Sequence, residues 1–398
     1  MDIPFNPASP TTMHIDLNSC FASVEQQANP LLRNKPVAVV HSDTPYGCIL
    51  APSVEAKLWG IKTGMTLAEG KLLCPWLIAR VADPPKYRQI HSQFAQLLDD
   101  YSPHVISKSI DEFCLTLPSG SDPVGMDSQI KSHIKSEIGD YLRVSIGVST
   151  NQILAKLASG LHKPDGFDII DSSNVLQIYG SIALNDFCGI NTRNEARLHR
   201  VGIFTANQFY DASIQTLKSA FQSVLGRYWY TRLRGYEIDD VQFSRQSFGQ
   251  SYVLPRQMLF NEWRPILAKL VAKAARRLRA NGSYATGVGL ALSYGNHTHW
   301  HTTHQFQTKL FTDSDILSMA LRLYSSQAPH NPVKKITVTC FGLTKDSGQL
   351  SCLTDTIKQK ALIISLDKLN DKWGEYSVTY GSFLGSNGHV RDAIAFGR

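Results

Sequence analysis

The chain is 398 residues long, 43% hydrophobic and 18% charged, with a formal net charge of +7. That length predicts two to four domains, and the hydrophobic content is ordinary for packed globular ones. The seven cysteines are scattered without a CxxC pair, which argues against a disulfide scaffold or a zinc site and predicts reduced core thiols in a cytosolic protein. The N-terminus has neither the basic nor the apolar region of a leader. No apolar run reaches the roughly 18 residues of a membrane span, so a cytoplasmic protein with no membrane partner is expected. The positive excess points to a polyanionic partner.

Residues 1–12, rich in Pro and Ser, read as a loose arm. Residues 13–18 read as a short apolar strand ending in an acid, and 19–28 as a helix. Residues 36–40 read as a buried strand, with 46–51 its partner across a turn. A short helix over 53–60 stops at a Gly, and another over 65–73 stops at Pro75. In 87–101, Ile90, Phe94, Leu97 and Leu98 form the apolar side of a helix packed on a sheet. Residues 105–110 are strand-like. Phe113, Leu115 and Leu117 then alternate with Cys114 and Thr116, the pattern of a half-buried strand. Asp111 and Glu112 therefore sit at a tight turn between strands, or at the lip of one. A helix over 127–139 carries Ile130, Ile134 and Ile138 on one side, and 143–149 is a strand. Strand, helix, hairpin, helix, strand is a βαββαβ layout.

Residues 151–161 form a helix that runs into Lys163-Pro164-Asp165-Gly166. Residues 173–240 are helical throughout, and 186–203 resemble a helix–hairpin–helix. Such a hairpin offers backbone N–H groups to a DNA phosphate at Gly189 and Asn191. Asn191 stands where a second Gly is usual, and Asn tolerates left-handed backbone better than most residues. Residues 241–250 read as a linker. Strands over 251–255, 287–294, 300–306 and 334–341 follow, with helices over 263–281 and 314–326. The first of these helices has a basic end at Arg276, Arg277 and Arg279. Residues 346–398 are a tail with a helix over 358–373 and a short strand over 376–380.

Asp16 alone could be a helix cap, and Asp111-Glu112 a solvated hairpin tip. Their strands can also be neighbours in one sheet. Three carboxylates on one spot would repel unless a divalent cation neutralised them. Hard oxygen ligands of this kind suit Mg²⁺. Two such ions about 3.5–4 Å apart form the clamp for in-line phosphoryl or nucleotidyl transfer.

The run His14-Ile15-Asp16-Leu17-Asn18-Ser19-Cys20-Phe21-Ala22-Ser23-Val24-Glu25 resembles the opening motif of the Y-family translesion DNA polymerases. Ser109-Ile110-Asp111-Glu112 resembles their second catalytic motif. The resemblance runs from about residue 13 to about 381. It implies an α+β multidomain, right-hand polymerase. Its parts would be a βαββαβ palm (13–20 and 86–172), small fingers (21–85), a helical thumb with a helix–hairpin–helix (173–240) and an α/β little finger (251–345). It implies low-fidelity synthesis past damaged templates by two-metal nucleotidyl transfer. The alternative is a non-catalytic relative, an adaptor binding DNA and the sliding clamp, but such relatives have lost the carboxylates.

Carried over residue by residue, Asp16, Asp111 and Glu112 would be catalytic ligands of two Mg²⁺ ions, with Mn²⁺ a substitute. The backbone carbonyl of Leu17 would be a further ligand. Phe21 matches the steric gate against a ribose 2′-hydroxyl, with a core aromatic as the duller reading. Because Phe21 follows Cys20, only one of the two is expected to face inward. Lys163 matches a triphosphate-binding lysine, and Lys156 is a weaker phosphate or DNA contact. Val54 and Lys57 stand at nucleotide-binding positions where the polymerase IV branch has Tyr and Arg. Lys is a point charge where Arg is a fork. Glu55-Ala56-Lys57 and Asn18-Ser19 look more like the catalytic subunit of polymerase V. His297, His299, His301 and His304 lie on or beside one strand. With no carboxylate or Cys beside them, they read as a face turned to DNA phosphates. Gln349, Leu350 and Leu353 resemble a short clamp-binding peptide, or an ordinary loop-to-helix junction. The implied partners are primed template DNA, dNTP, a sliding clamp and an activating protein.

Overall fold

The strand that carries Asp16, β1 (Thr12–Leu17), is the middle strand of a five-stranded sheet. The computed structural model describes residues 3–118, 120–239, 245–296, 298–327, 329, 331–345, 356–383 and 390. They fall into two units, one within residues 1–242 and one within 243–391.

In the first unit β1 leads into α1 (Cys20–Ala28), then β2 (Val37–Val40), β3 (Ile49–Pro52), α2 (Val54–Leu58), α3 (Leu67–Leu73) and β4 (Ile78–Val81). Strands β3-β2-β4 form a small sheet of their own. Strand β4, unforeseen in the sequence, pairs parallel with β2. Next come α4 (Pro84–Asp99), β5 (Val105–Ser107), β6 (Glu112–Thr116), α5 (Pro123–His133), β7 (Val144–Ser149), α6 (Gln152–Leu161) and β8 (Phe167–Ile169). The large sheet has the order β5-β6-β1-β7-β8. Its last strand, β8, is also unforeseen. Helix α5 starts four residues earlier than expected. The Asp122 side chain accepts from the Val124 and Gly125 N–H groups, and Pro123 takes the first helical position.

Strand β6 is covered on both faces rather than half-buried. Met13 and Ile15 of β1 pair with Leu115 and Phe113 of β6. That face packs on Phe94 and Ile130. Helix α6 lies over the other face, where Cys114 is only 4% exposed. Gly147 in β7 makes this possible, because a Cβ there would stand 2.1 Å from the Ala155 carbonyl oxygen and the Ser159 nitrogen. Helix α1 is buried all round, from Cys20 to Gln26. Cys20 and Phe21 are therefore both buried, contrary to the expectation that only one faces inward. A helix enclosed by packed elements has no outward side.

Five short helices complete this unit: α7 (Val175–Ser181), α8 (Thr192–His199), α9 (Ala206–Asp211), α10 (Ile214–Phe221) and α11 (Leu225–Arg232). They enclose Phe187, Phe209 and Trp229. Residues 3–6, expected as a loose arm, are hydrogen-bonded to this bundle. The Asn6 N–H donates to the Arg234 carbonyl at 2.8 Å, and Arg234 Nε donates to the Ile3 carbonyl at 3.0 Å. Of the described cysteines, Cys48 and Cys188 are exposed rather than core thiols.

The second unit runs β9 (Ser247–Met258), α12 (Phe260–Ala280), β10 (Ser283–Tyr294), β11 (His299–Leu310), α13 (Asp313–Gln327), β12 (Val333–Lys345) and α14 (Thr356–Trp373). The sheet order is β11-β10-β12-β9, all antiparallel. Leu290, Leu292, Ile336 and Val338 share one core with Trp263, Leu267 and Val271 of α12. Strand β9 begins inside the expected linker, and residues 241–244 lie outside the described residues. Helix α14 is tied to α12 by ion pairs of Arg279 with Asp367, at 2.6 Å, and of Arg276 with Asp371, and Lys273 pairs with Glu375 just past the end of α14 at 3.1 Å. Residues 376–380 are bent, irregular backbone and not the expected strand. Tyr376 has φ 67, and the Asn370 side chain hydrogen-bonds both the N–H and the carbonyl of Val378. Those backbone groups are thereby taken from any strand partner.

Candidate active site

The register of β1 on β6 sets Asp16 directly opposite Glu112. Opposite residues of an antiparallel pair project from the same face with Cβ atoms about 5 Å apart. Asp111 precedes Glu112, and its carbonyl accepts from the Leu17 N–H at 2.9 Å. The two strand ends, 95 positions apart in sequence, are thus pinned together at the acids. Burial pushes the Asp111 carboxyl above its usual range, Asp16 and Glu112 add to the shift, and the Ser109 hydroxyl, donating at 2.5 Å, opposes it. Like charges crowd this spot.

Helix α6 and the turn after it bring cations to the same face. Lys156 Nζ donates to both Glu112 oxygens at 2.7 Å, and Lys163 Nζ lies 2.8 Å from Asp16. His14 and Lys156 hold the Glu112 carboxyl down at about 2 against burial. At 3.8 Å, His14 Nε2 is beyond hydrogen-bond reach of Glu112, so its pull is electrostatic and Lys156 makes the bonds. Lys57 is depressed by burial and by Lys163, and is drawn the other way by Asp16. Lys57 is therefore part of the same cluster. Val54 opens α2, whose first turn is capped by the Ser53 hydroxyl accepting from the Ala56 N–H.

Phe21 is 4% exposed and lies flat on Tyr87, with ring centroids 4.4 Å apart and planes at 11°. The Tyr87 hydroxyl donates to Glu25 at 3.0 Å, and Lys86 holds the same buried carboxylate at 2.9 Å. Phe21 is thus fixed from beneath by α4.

Gly189 and Asn191 lie before α8, away from the strand-end acids in sequence. Gly189 has φ +100. Asn191 is not left-handed as expected, with φ −91. It caps α8 instead, its side chain accepting from the Arg193 and Asn194 N–H groups. Asn favours that role because its short amide reaches the first free donors of a helix. In the second unit, His299 and His301 are exposed on edge strand β11. They pair with Ser293 and Ala291, on the face opposite the helix-packed Leu290 and Leu292. His297, Gln349, Leu350 and Leu353 lie outside the described residues.

The donor set at the acids fits a hard divalent cation, being all carboxylate with a backbone carbonyl beside it. Among the described residues, no three side chains are already gathered at ligating distance, since Asp16 and Glu112 are each engaged by a lysine. His14, Ser159 and Gly147 also shape this site, though no motif in the sequence assigns them a role in it. Period-2 alternation does place His14 on the face of Asp16, but α6 crossing that face is invisible in the sequence.

The impB/mucB/samB family model matches residues 15–160, and the model of that family's C-terminal domain matches residues 245–352. A DNA polymerase IV of Moorella thermoacetica is 30% identical over 90% of this chain and 92% of its own. The chain belongs to this family, the Y-family DNA polymerases. A DNA polymerase IV of Pelotomaculum thermopropionicum is 29% identical over 95% of the chain and 96% of its own length, and one of Staphylococcus aureus is 30% identical over 87% and 98%. The fold of this Y-family chain matches that of a solved Y-family DNA polymerase chimera with a TM-score of 0.72. That match has 21% identity and covers 84% of this chain and 99% of the other. No helix among the described residues is long and apolar enough to cross a membrane.

Proposed function

We propose that this chain is a translesion polymerase in which Asp16, Asp111, Glu112 and the Leu17 carbonyl hold two Mg²⁺ ions. Membership of the family carries the broader activity, template-directed DNA synthesis from dNTPs with a divalent metal ion. The convergence of three carboxylates at one strand-end junction supports the finer reading. The bound ions would supply Lewis-acid activation of the primer 3′-hydroxyl and charge neutralisation at the triphosphate.

The chain's own residues do the remaining work. Lys163 and Lys57 would bind triphosphate oxygens from the side facing Asp16. Val54 offers no hydroxyl donor there. Phe21, held flat on Tyr87, would leave no room for a ribose 2′-hydroxyl. The first unit would comprise palm, fingers and thumb, and the second the little finger. Gly189 with the first turn of α8, and His299 with His301 on the open sheet face, would contact DNA phosphates without reading sequence. The relatives' names favour the polymerase IV branch, while Glu55-Ala56-Lys57 keeps the polymerase V-like pattern. A sliding clamp and an activating protein remain part of this reading on the sequence resemblance alone, as does a cytoplasmic setting. The retained carboxylates disfavour the adaptor alternative.

Primer extension on a primed template with Mg²⁺ and dNTPs tests the reading. Wild type should extend and Asp111→Asn should not. Equal extension by both would refute the metal assignment, and no extension by a DNA-binding wild type would restore the adaptor.

A further inference from the structure

Glu112 is anchored by more than the family motif describes. Asp16, His14 and Glu112 share the sheet face that α6 crosses. Helix α6 presents Lys156 and Ser159, one turn apart. Lys156 Nζ takes both Glu112 oxygens at 2.7 Å. The Ser159 hydroxyl donates to the Lys156 carbonyl at 2.9 Å, so its oxygen is left to accept from His14 Nδ1 at 3.2 Å. That contact aims His14 Nε2 at Glu112, 3.8 Å away. His14 is 2% exposed, and its Nε2 has no hydrogen-bond partner among the described residues. A buried polar atom without a partner needs a reason, and a facing carboxylate supplies one.

We propose that Lys156 and His14 are positioning residues for Glu112, and that the Lys156 charge sets how tightly the three carboxylates hold divalent ions. The proposal rests on the reading of Asp16, Asp111 and Glu112 as metal ligands. The Lys156 contact acts on Glu112 in two ways. An ammonium on both oxygens occupies lone pairs that a metal ion would use, and its charge repels that ion through a partly buried site. The same two bonds hold the carboxylate plane in one orientation, which the reaction needs at the level of about an ångström. Loss of Lys156 should therefore tighten ion binding while slowing turnover. A residue serving the fold alone would give no such opposite pair of effects.

The test uses the full chain and Mn²⁺ as a spectroscopic probe, with free ion counted by electron paramagnetic resonance in the absence of DNA and dNTP. Lys156→Met should bind Mn²⁺ about tenfold more tightly than wild type. In single-nucleotide insertion its kcat should fall by about tenfold or more, with KM for dNTP little changed. Lys156→Arg, which keeps the charge and can make both bonds, should restore the Mn²⁺ affinity. His14→Phe, which keeps the volume and removes the ring nitrogens facing Ser159 and Glu112, should lower kcat with KM for dNTP little changed. Equal Mn²⁺ affinity in Lys156→Met and Lys156→Arg overturns the role of Lys156 as does weaker binding in the former, and unchanged kcat in His14→Phe overturns that of His14. Undiminished primer extension by Asp111→Asn would instead remove the metal-site reading beneath the proposal.

Discussion

Gly147→Ala tests whether the contact of α6 with the central sheet sets the chemistry. A Cβ at this position would lie 2.1 Å from both the Ala155 carbonyl oxygen and the Ser159 nitrogen, and 2.8 Å from the Ala158 carbonyl carbon. These are backbone atoms of a helix and cannot rotate away. Restoring ordinary contact moves α6 outward by about 1 Å, an overpacking that costs about 1–3 kcal/mol. For a unit of this size that lowers Tm by about 5 °C. The same shift carries Lys156 away from Glu112 and Lys163 away from Asp16, which now sit at 2.7 and 2.8 Å. A displacement of that order can cost about a hundredfold in turnover. Single-nucleotide insertion kinetics and a thermal melt on the same preparation measure both effects. Wild-type turnover together with a wild-type Tm would refute the argument. A lowered Tm with unchanged turnover would mean that α6 supports the fold without governing the site.

Phe21→Leu keeps the core filled but shortens the ring resting on Tyr87, so discrimination between dNTP and rNTP, taken as the ratio of kcat/KM values, should fall about tenfold or more; an unchanged ratio would remove Phe21 as the gate. Glu112 is held at about 2 by His14 and Lys156, below its ordinary 4.5, so its contribution to stability is present above about pH 4.5 and is lost as pH falls through about 2. Denaturation midpoints measured in chelator across that window should converge for wild type and Glu112→Gln as the pH drops, and parallel curves would contradict the depressed carboxyl. Arg279 is 5% exposed and pairs with Asp313 at 2.7 Å and Asp367 at 2.6 Å. Arg279→Met leaves two partly buried carboxylates without their cation and should destabilise the second unit by about 3–5 kcal/mol. Hydrogen exchange should then show α14 losing protection first, and wild-type exchange there would mean that the ion pairs do not hold the helix.

Several features of this protein follow from residue order alone. Strand patterns that end in Asp16 and pass through Asp111-Glu112 are local signals, because side chains on a strand alternate and acids at strand ends stay near solvent. The helices over Tyr87, Asn151 and Trp263 were legible for a similar reason, as a 3.6-residue apolar repeat needs no partner to be seen. Within 186–203 the residues mark a turn leading into a helix, but they do not set the backbone angle of Asn191. Whether Asn caps a helix or adopts a left-handed turn depends on where the next N–H groups point. Strands β4 and β8 are not legible in the sequence, since four and three residues carry too little periodicity and only the neighbouring strand makes them strands.

Tertiary structure decided the rest. Cys20 and Phe21 are adjacent and both buried because α1 is enclosed on every side, a property of its neighbours rather than of its own sequence. Residues 376–380 are irregular rather than a strand because the Asn370 side chain captures the Val378 backbone. Lys156, Ser159 and His14 look unremarkable in the chain. They meet at Glu112 only because β1 pairs with β6 in one register and Gly147 lets α6 lie against the sheet. Residue order alone sets which charged residues the candidate site holds. Which cation faces which carboxylate depends on strand register and helix contact, and both are set by packing between segments far apart in the chain.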